Sequence, residues 1–411
     1  MEVALYKIGI ALYLLAVRIA SLFKPKARLF LEGRKNLLPN IKKQLEHEAR
    51  PRIWVHCASL GEFEQGRPII ESIRKEYPQY AIIVTFFSPS GYEPRKNYSG
   101  ADYVFYLPVD NAANAKQFIE YVNPTLCLFV KYELWFYLLK EISRKKIPCV
   151  LISAIFTERH GFFKWYGGLQ RRMLKRFDHI FVQDITSKKL LESIHIKHVS
   201  VSGDTRFDRV ADLLNEPFAN TFIEKFCGTH KVIVAGSTWR EDEQFLKKLM
   251  AGLSDEWRLL LIPHEIDKSH LHEIKTLFGD CSFYTKTPDA SSKVLVIDTV
   301  GMLSKLYRYA TITWIGGAFG KEGVHNVLEA AVYGKPVYFG PVYHQFLEAQ
   351  GLIDAGGALS VAQPAQLLQH FEKYATDDSY QKMCAEAADY VRSNTGATLI
   401  TMKGIAGWLK Q

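Results

Sequence analysis

Ile53-Trp54-Val55-His56-Cys57-Ala58 is a short, mostly apolar run just after Pro51, and it leads through Ser59-Leu60-Gly61-Glu62 into an amphipathic stretch near 64–76. Read as strand, loop and helix, this unit repeats along the chain. Apolar runs at 81–87, 103–107, 125–130, 149–153 and 179–183 alternate with helical periodicity near 112–121, 134–145 and 185–194. Such repetition predicts a parallel sheet covered on both faces. A second series opens at Lys231, with strands at 231–235, 258–262, 293–298, 310–315 and 336–339 and helices near 241–253, 267–278, 301–308 and 325–333. The tail from 363 to 410 reads as mostly helical. The fold class is therefore α/β, with two doubly wound domains in series. Ligands of such sheets sit beyond the carboxyl ends of the strands, so the loops there are where chemistry is sought.

The whole chain has 411 residues and a formal charge of +9. Residues 1–52 hold eleven Lys or Arg against four Glu, a net +7, which leaves the remaining 359 residues nearly neutral. Set around and behind an apolar helix, that charge reads as orientation toward an anionic membrane rather than as a nucleic-acid footprint. Inside the basic region, residues 3–23 are apolar or small apart from the tyrosines, Lys7, Arg18 and Ser21. The stretch is long enough to span a bilayer. Lys7 and Arg18, eleven residues apart, project from one helix edge, which suits a helix lying in the headgroup plane equally well. An amphipathic core helix is the bland alternative. Lys24-Pro25-Lys26-Ala27-Arg28 follows directly, and by the positive-inside rule it places the body in the cytoplasm. The six cysteines form no C-x-x-C pair and have no histidine at zinc spacing, which fits a reducing compartment and no structural metal.

Three loop regions carry candidate residues. Glu62 follows Gly61 at the end of the first strand and reads either as a general base or as a helix-start carboxylate facing the macrodipole. In the second half, Gly236-Ser237-Thr238 leaves the first strand and reads as a phosphate cradle or as an ordinary N-cap. The stretch Trp314-Ile315-Gly316-Gly317-Ala318-Phe319-Gly320-Lys321-Glu322-Gly323-Val324-His325-Asn326-Val327-Leu328-Glu329 supplies four glycines after an apolar strand. A helix opening near His325 would put Asn326 and Glu329 on one face, where Glu329 could take ribose hydroxyls. No P-loop G-K-[ST] is present, and the glycines do not follow the dinucleotide-binding pattern, which disfavours an ATPase and a dehydrogenase. Finally, Arg159, Phe162, Phe163 and Trp165, followed by Arg171 and Arg172, set aromatics beside cations. That pattern suits a phosphorylated amphiphile at a membrane, or a solvated basic helix with a packed aromatic face.

Taken in order, these motifs resemble the 3-deoxy-D-manno-octulosonic acid (Kdo) transferases. Trp54 to Glu62 is similar to that family's W-x-H-x-x-S-x-G-E signature, and Glu133-Leu134-Trp135 to part of its E-x-E-L-W-P motif. Gly203-Asp204-Thr205-Arg206-Phe207-Asp208 resembles its G-N-x-K-x-D segment. Gly236-Ser237-Thr238, Gly316-Gly317, His325-Asn326 with Glu329, and Gly340-Pro341 resemble its nucleotide-half motifs. The resemblance implies a GT-B fold of two Rossmann-like domains and a membrane-associated N-terminal helix. It also implies inverting transfer of Kdo from CMP-Kdo to a lipid A precursor at the cytoplasmic face of the inner membrane. Neither metal nor cofactor is expected, in keeping with the lack of a D-x-D element in the second half. On this reading Glu62 is the general base, and Glu133 holds or polarises the acceptor. Gly236, Ser237, Thr238, Pro263, His264, Gly316, Gly317, His325, Asn326 and Glu329 line the nucleotide site. Arg159, Phe162, Phe163, Trp165, Arg171 and Arg172 form an acceptor and membrane surface.

The chain departs from the family pattern at Lys131 and Phe136 and in Ser153-Ala154-Ile155, Gly323-Val324 and Asp298-Thr299-Val300-Gly301-Met302-Leu303. At Pro263-His264-Glu265 a phosphate-binding Arg is missing, with His264 or Arg240 as the candidate replacements. The expected organisation is an anchor and basic flank at 1–28, an acceptor domain at 29–205, a linker at 206–230 and a nucleotide-sugar domain with a helical tail at 231–411. Three alternatives stay open: a GT-B transferase using a UDP-sugar on a lipid or peptidoglycan acceptor, a sugar-nucleotide epimerase, and a non-catalytic membrane scaffold.

Overall fold

In the computed structural model, residues 2–286, 288–374 and 378–409 are described. They form two compact units, one of residues 1–209 with 395–411 and the other of residues 210–394. The first is built on seven parallel strands, β1 (Arg52–Cys57), β2 (Ala81–Phe86), β3 (Tyr103–Tyr106), β4 (Leu126–Val130), β5 (Cys149–Ala154), β6 (His179–Val182) and β7 (Val199–Val201). Their order in the sheet is β3-β2-β1-β4-β5-β6-β7. The second unit repeats the winding with β8 (Lys231–Thr238), β9 (Trp257–Pro263), β10 (Ser282–Phe283), β11 (Val294–Val296), β12 (Ile312–Ile315), β13 (Val337–Phe339) and β14 (Ala358–Ser360), ordered β10-β11-β9-β8-β12-β13-β14.

The strands read as unbroken apolar runs because both faces of each sheet are covered. Along β1 and β4 the side chains divide by parity. Trp54, Cys127 and Phe129 enter one core, and Ile53, Val55, Cys57, Leu126, Leu128 and Val130 enter the other. Each large side chain buried in this way is worth about 1.5–3 kcal/mol. The direction of winding reverses between β1 and β4 in the first sheet and between β8 and β12 in the second. Those two switch points, at the carboxyl ends, are where such folds take ligands.

Three boundaries differ from expectation. The expected linker region holds the helices Thr205–Ala211 and Thr221–Cys227, and the units divide at 209/210. The tail, expected with the second domain, instead returns its last helix, Ala397–Ile405, to the first. Met402, Ile405 and Leu409 complete one of the first unit's two cores. Gly404 passes so close to Phe181 that a Cβ there would lie 2.2 Å from the ring. Asp208 fixes the helix start by accepting from the Gly396 N–H and from the Thr398 N–H and hydroxyl. Amphipathic periodicity announced the helix but could not say which sheet it covers.

The third difference is at the N-terminus. Helix α1 (Glu2–Ala20) is long and apolar enough to cross a membrane by length and composition. It is tied to the first unit rather than standing apart as a separate 1–28 segment. The Tyr6 hydroxyl donates to Asp110 at 2.6 Å, Glu2 pairs with Arg172 at 2.5 Å, and Tyr13 packs its ring on Phe30 and Phe87. Asp110 is buried and also accepts from the N–H groups of Tyr137 and Leu138, capping the Phe136–Arg144 helix. The other face of α1 leaves Leu5, Ile8, Leu12, Leu15 and Ile19 more than half exposed, and Leu22 and Phe23 continue that surface.

Candidate active site

At the switch point of the first sheet, the end of β1 delivers Glu62 and the end of β4 delivers Glu133. The Leu60–Glu76 helix starts at the strand end, so Glu62 lies in its first turn. Its side chain turns back, and Oε2 accepts from the Ala58 N–H at 2.5 Å. Burial, followed by the charge of Glu133, pushes the Glu62 carboxyl up to about 7, against smaller opposing effects of the Ala58 N–H and Lys131. A carboxylate that titrates near neutrality is matched to taking a proton from a hydroxyl. Gly61 makes no sharp turn between strand and base. It sits in the helix, with open space where a Cβ would stand.

Glu133 is held from behind. Its Oε2 accepts from Trp135 Nε1 at 3.0 Å and lies 3.4 Å from Nε2 of His56. His56 is fully buried, with Nδ1 2.9 Å from the Thr85 hydroxyl, which also accepts from Trp54 Nε1 at 2.8 Å. Trp54, His56 and Trp135 thus form one polar thread through an otherwise apolar core, ending on the carboxylate. Lys131 and Ser153, at the ends of β4 and β5, have φ of 63° and 51°. Non-glycine residues in the left-handed region are costly, and they gather at functional loops.

In the second unit, β8 runs on to Thr238 and Ser237 has φ 53°. A Cβ on Gly316 would fall 2.2 Å from the Ser237 carbonyl oxygen, so the two loops can meet only with glycine there. Asp242 locks them together. It is fully buried and accepts from the N–H groups of Trp239 and Gly317 and from Trp314 Nε1, at 2.9, 2.9 and 3.0 Å. His264 is exposed and stacks between Trp239 and His325, at 4.7 and 4.6 Å. Trp239 Nε1 donates to His325 Nε2 at 3.0 Å, which requires a lone pair there, and burial pushes the His325 pKa down to about 4. The ring is neutral at physiological pH.

Several expected nucleotide-site residues have other duties. Thr238 is buried and gives its hydroxyl to Glu243, which pairs with buried His270 at 3.0 Å. Pro263 is buried at the end of β9. The helix expected near His325 opens only at Leu328, so His325 and Asn326 lie in the loop before it. Asn326 caps the helix through the Leu328 N–H and donates to Glu329 at 3.0 Å. Arg240 is paired with Glu273 at 2.6 Å, which leaves His264 as the open one of the two proposed replacements for the missing arginine. Glu265, Asp267 and His270 bring donor atoms within 4.8 Å of one another. Both His270 nitrogens are already engaged, by the Glu265 carbonyl and by Glu243, and Asp267 caps a helix.

Comparison with known proteins matches residues 31–209 to the family model described as 3-Deoxy-D-manno-octulosonic-acid transferase (kdotransferase). The 3-deoxy-D-manno-octulosonic acid transferase of Aquifex aeolicus is 28% identical over 74% of this chain and 80% of that protein. That of Rickettsia felis is 26% identical over 78% and 70%. The chain is a relative of the Kdo transferases. Among solved structures, a UDP-GlcNAc 2-epimerase from Neisseria meningitidis shares the fold at a TM-score of 0.63, with 17% identity over 87% of this chain and all of that one. Two Rossmann-like units of the GT-B kind are the architecture.

Against the Kdo transferase pattern, the expected acceptor surface divides. Trp165 is 92% exposed, and Arg159 and Arg172 are exposed with it. Phe162 is instead part of the core and Phe163 is half-buried against it. Arg171 spends its guanidinium on the carbonyls of Phe162 and Lys164, bracing the turn that raises Trp165. The Thr85 link behind His56 and the buried acids Asp110, Asp242 and Glu243 were not anticipated. Asp242 and Glu243 have the sequence signal of ordinary helix-start acids, and only the distant donors Trp314 and Gly317 set Asp242 apart.

Proposed function

We propose that this chain transfers Kdo from CMP-Kdo to a sugar hydroxyl of a lipid A precursor. The observation that carries the reading is Glu62, a carboxyl pushed to about 7 at a sheet switch point beside a second, firmly held carboxylate. As the acceptor oxygen attacks the anomeric carbon of Kdo, its proton passes to Glu62. The bond from that carbon to the phosphate oxygen breaks, and CMP leaves with the electron pair. A single displacement inverts the anomeric centre. Glu133, braced by Trp135 and His56, orients the acceptor hydroxyl. Residues of the second unit, with exposed His264 and the glycine loops around Ser237 and Gly317, take the nucleotide, and their N–H groups stabilise the leaving phosphate without a metal.

Membrane attachment belongs to the same proposal. The body-facing side of α1 is bonded to the first unit while its outer side is apolar, which favours a helix lying in the interface over one crossing it. Lys24, Lys26 and Arg28 are exposed beside it and suit an anionic cytoplasmic leaflet. Purified protein, CMP-Kdo and a tetra-acylated lipid A precursor should yield a Kdo-bearing product, with Glu62→Gln abolishing it. Undiminished product from that variant would remove Glu62 as the base. CMP, and not UDP, should raise the melting temperature; protection by UDP alone would reassign the donor.

A further inference from the structure

Between α1 and the body of the first unit lies a cavity of about 520 Å³, within the size range of small-ligand sites. Its walls are mainly apolar, with Leu5 on α1, Phe162 in the turn after β5, and Leu169 and Met173 on the Gly168–Leu174 helix; Glu133 stands among them. Beside it α1 is fixed by Val3 and Tyr6, which pack on the first unit's core, and by two polar contacts. Tyr6 is bonded to Asp110, and Glu2 is paired with Arg172. Gly168 admits the second of these, since a Cβ there would come within 2.6 Å of the Glu2 carboxylate.

The cavity joins two regions with separate roles. Leu5 is 61% exposed and continues into the apolar outer face of α1. Glu133 belongs to the carboxylate pair with Glu62. A ligand filling the space must therefore be apolar along its length and polar where it reaches Glu133. On the other side of the Gly168–Leu174 helix, Arg171, Arg172 and Lys175 line a second hollow of about 380 Å³; Arg172 is paired with Glu2 and Arg171 with two carbonyls, so Lys175 is the cation there that would meet a phosphate. An acyl chain beside a phosphorylated sugar has both chemistries.

We propose that the cavity under α1 takes one acyl chain of the lipid acceptor, lifting it out of the bilayer so that the attached sugar hydroxyl reaches Glu62 and Glu133. This rests on the reading of the chain as a lipid glycosyltransferase. The test fills the cavity from either wall, with Leu169→Trp from below and Leu5→Trp from the more exposed roof, and melting curves identify any variant that fails to fold. In detergent micelles with saturating CMP-Kdo, each variant should raise KM for the tetra-acylated acceptor about tenfold while kcat stays within about twofold. Toward the fully deacylated disaccharide, kcat/KM should stay within about twofold. Equal losses on both acceptors, or no loss on either, overturn the proposal. A drop in binding to plain phospholipid vesicles with KM unchanged also overturns it, by giving the cavity to a bilayer lipid. If the unaltered protein glycosylates neither acceptor, the functional reading has failed separately. A fluorescent tetradecanoyl probe then decides the cavity alone, with saturable binding that Leu169→Trp removes supporting it and equal binding by both proteins refuting it.

Discussion

Glu62 and Asp242 occupy matching places in the two units. Each is the third residue of the helix that follows the unit's first strand, and each side chain turns back to a backbone N–H just before its helix. Burial raises the pKa of both. Their surroundings then diverge. Asp242 receives three donors, from the Trp239 and Gly317 N–H groups and from Trp314 on β12, whereas Glu62 receives one among the described residues and faces a second carboxylate. A fully bonded acid is a brace; one with lone pairs to spare and a like charge nearby is positioned to take a proton. The difference teaches that an acid at a helix start acquires its role from the number of donors aimed at it.

The largest effect should come from exchanging Glu62 for its neutral isostere. Glu62→Gln is expected to lower kcat by about 10²–10⁴, the usual worth of a general base, with KM little changed. It should also stabilise the fold at pH 8. A carboxyl raised from 4.5 to about 7 costs nothing below the unfolded value, where both states are protonated. The penalty grows as pH rises between those values, because the unfolded chain ionises first, and it is complete above about 7. Relief of up to about 3 kcal/mol is the ceiling, seen as a higher melting temperature at pH 8 and no difference at pH 4. Asp242→Ala should do the reverse. Leaving three buried donors unpaired is expected to cost about 2–5 kcal/mol and to lower the melting temperature strongly. A gain in stability on removing Asp242, or a loss on removing Glu62, would break the comparison.

A smaller effect tests the like-charge neighbour. Glu133 raises the Glu62 pKa, so the limb of kcat that rises with pH through about 7 should move to lower pH in Glu133→Gln. An unmoved limb would mean that burial alone sets the value. Because Trp135 and His56 hold Glu133, Trp135→Phe should move the limb in the same direction but less far.

How much of this was legible in sequence follows from how each feature is encoded. Strands buried on both faces announce themselves as apolar runs, so β1, β2, β4 and β5 were readable within a residue or two. The short edge strands β7, β10 and β14 carry two or three residues and no run to detect. Glu62 and Glu133 were legible through their motifs. Their electrostatic coupling was not, because it depends on β1 and β4 being neighbours in the sheet. Phe162 looked like surface beside Arg159 and Trp165, yet the turn at Gly161–Phe163 directs it into the core. Of the seven described non-glycine residues with positive φ, Lys131, Ser153 and Ser237 fall at the strand ends beside the candidate sites, where composition offers no warning, while the backbone of Gly61 is unexceptional.

That last contrast supplies the mildest and most discriminating substitution. Gly61 lies in the first turn of a helix, its φ is not in the left-handed region, and a Cβ would meet nothing within 4 Å. Nothing in the fold therefore asks for glycine, and alanine should stabilise the helix by about 0.5–1 kcal/mol. Glycine at an exposed position next to the base has one remaining use, which is to let another molecule approach closely. Gly61→Ala should thus melt at a slightly higher temperature and show a raised KM for the acceptor, with the pH limb of Glu62 unmoved. If the variant is more stable and fully active, the space beside Gly61 is solvent, and the acceptor must approach Glu62 from the Glu133 side alone.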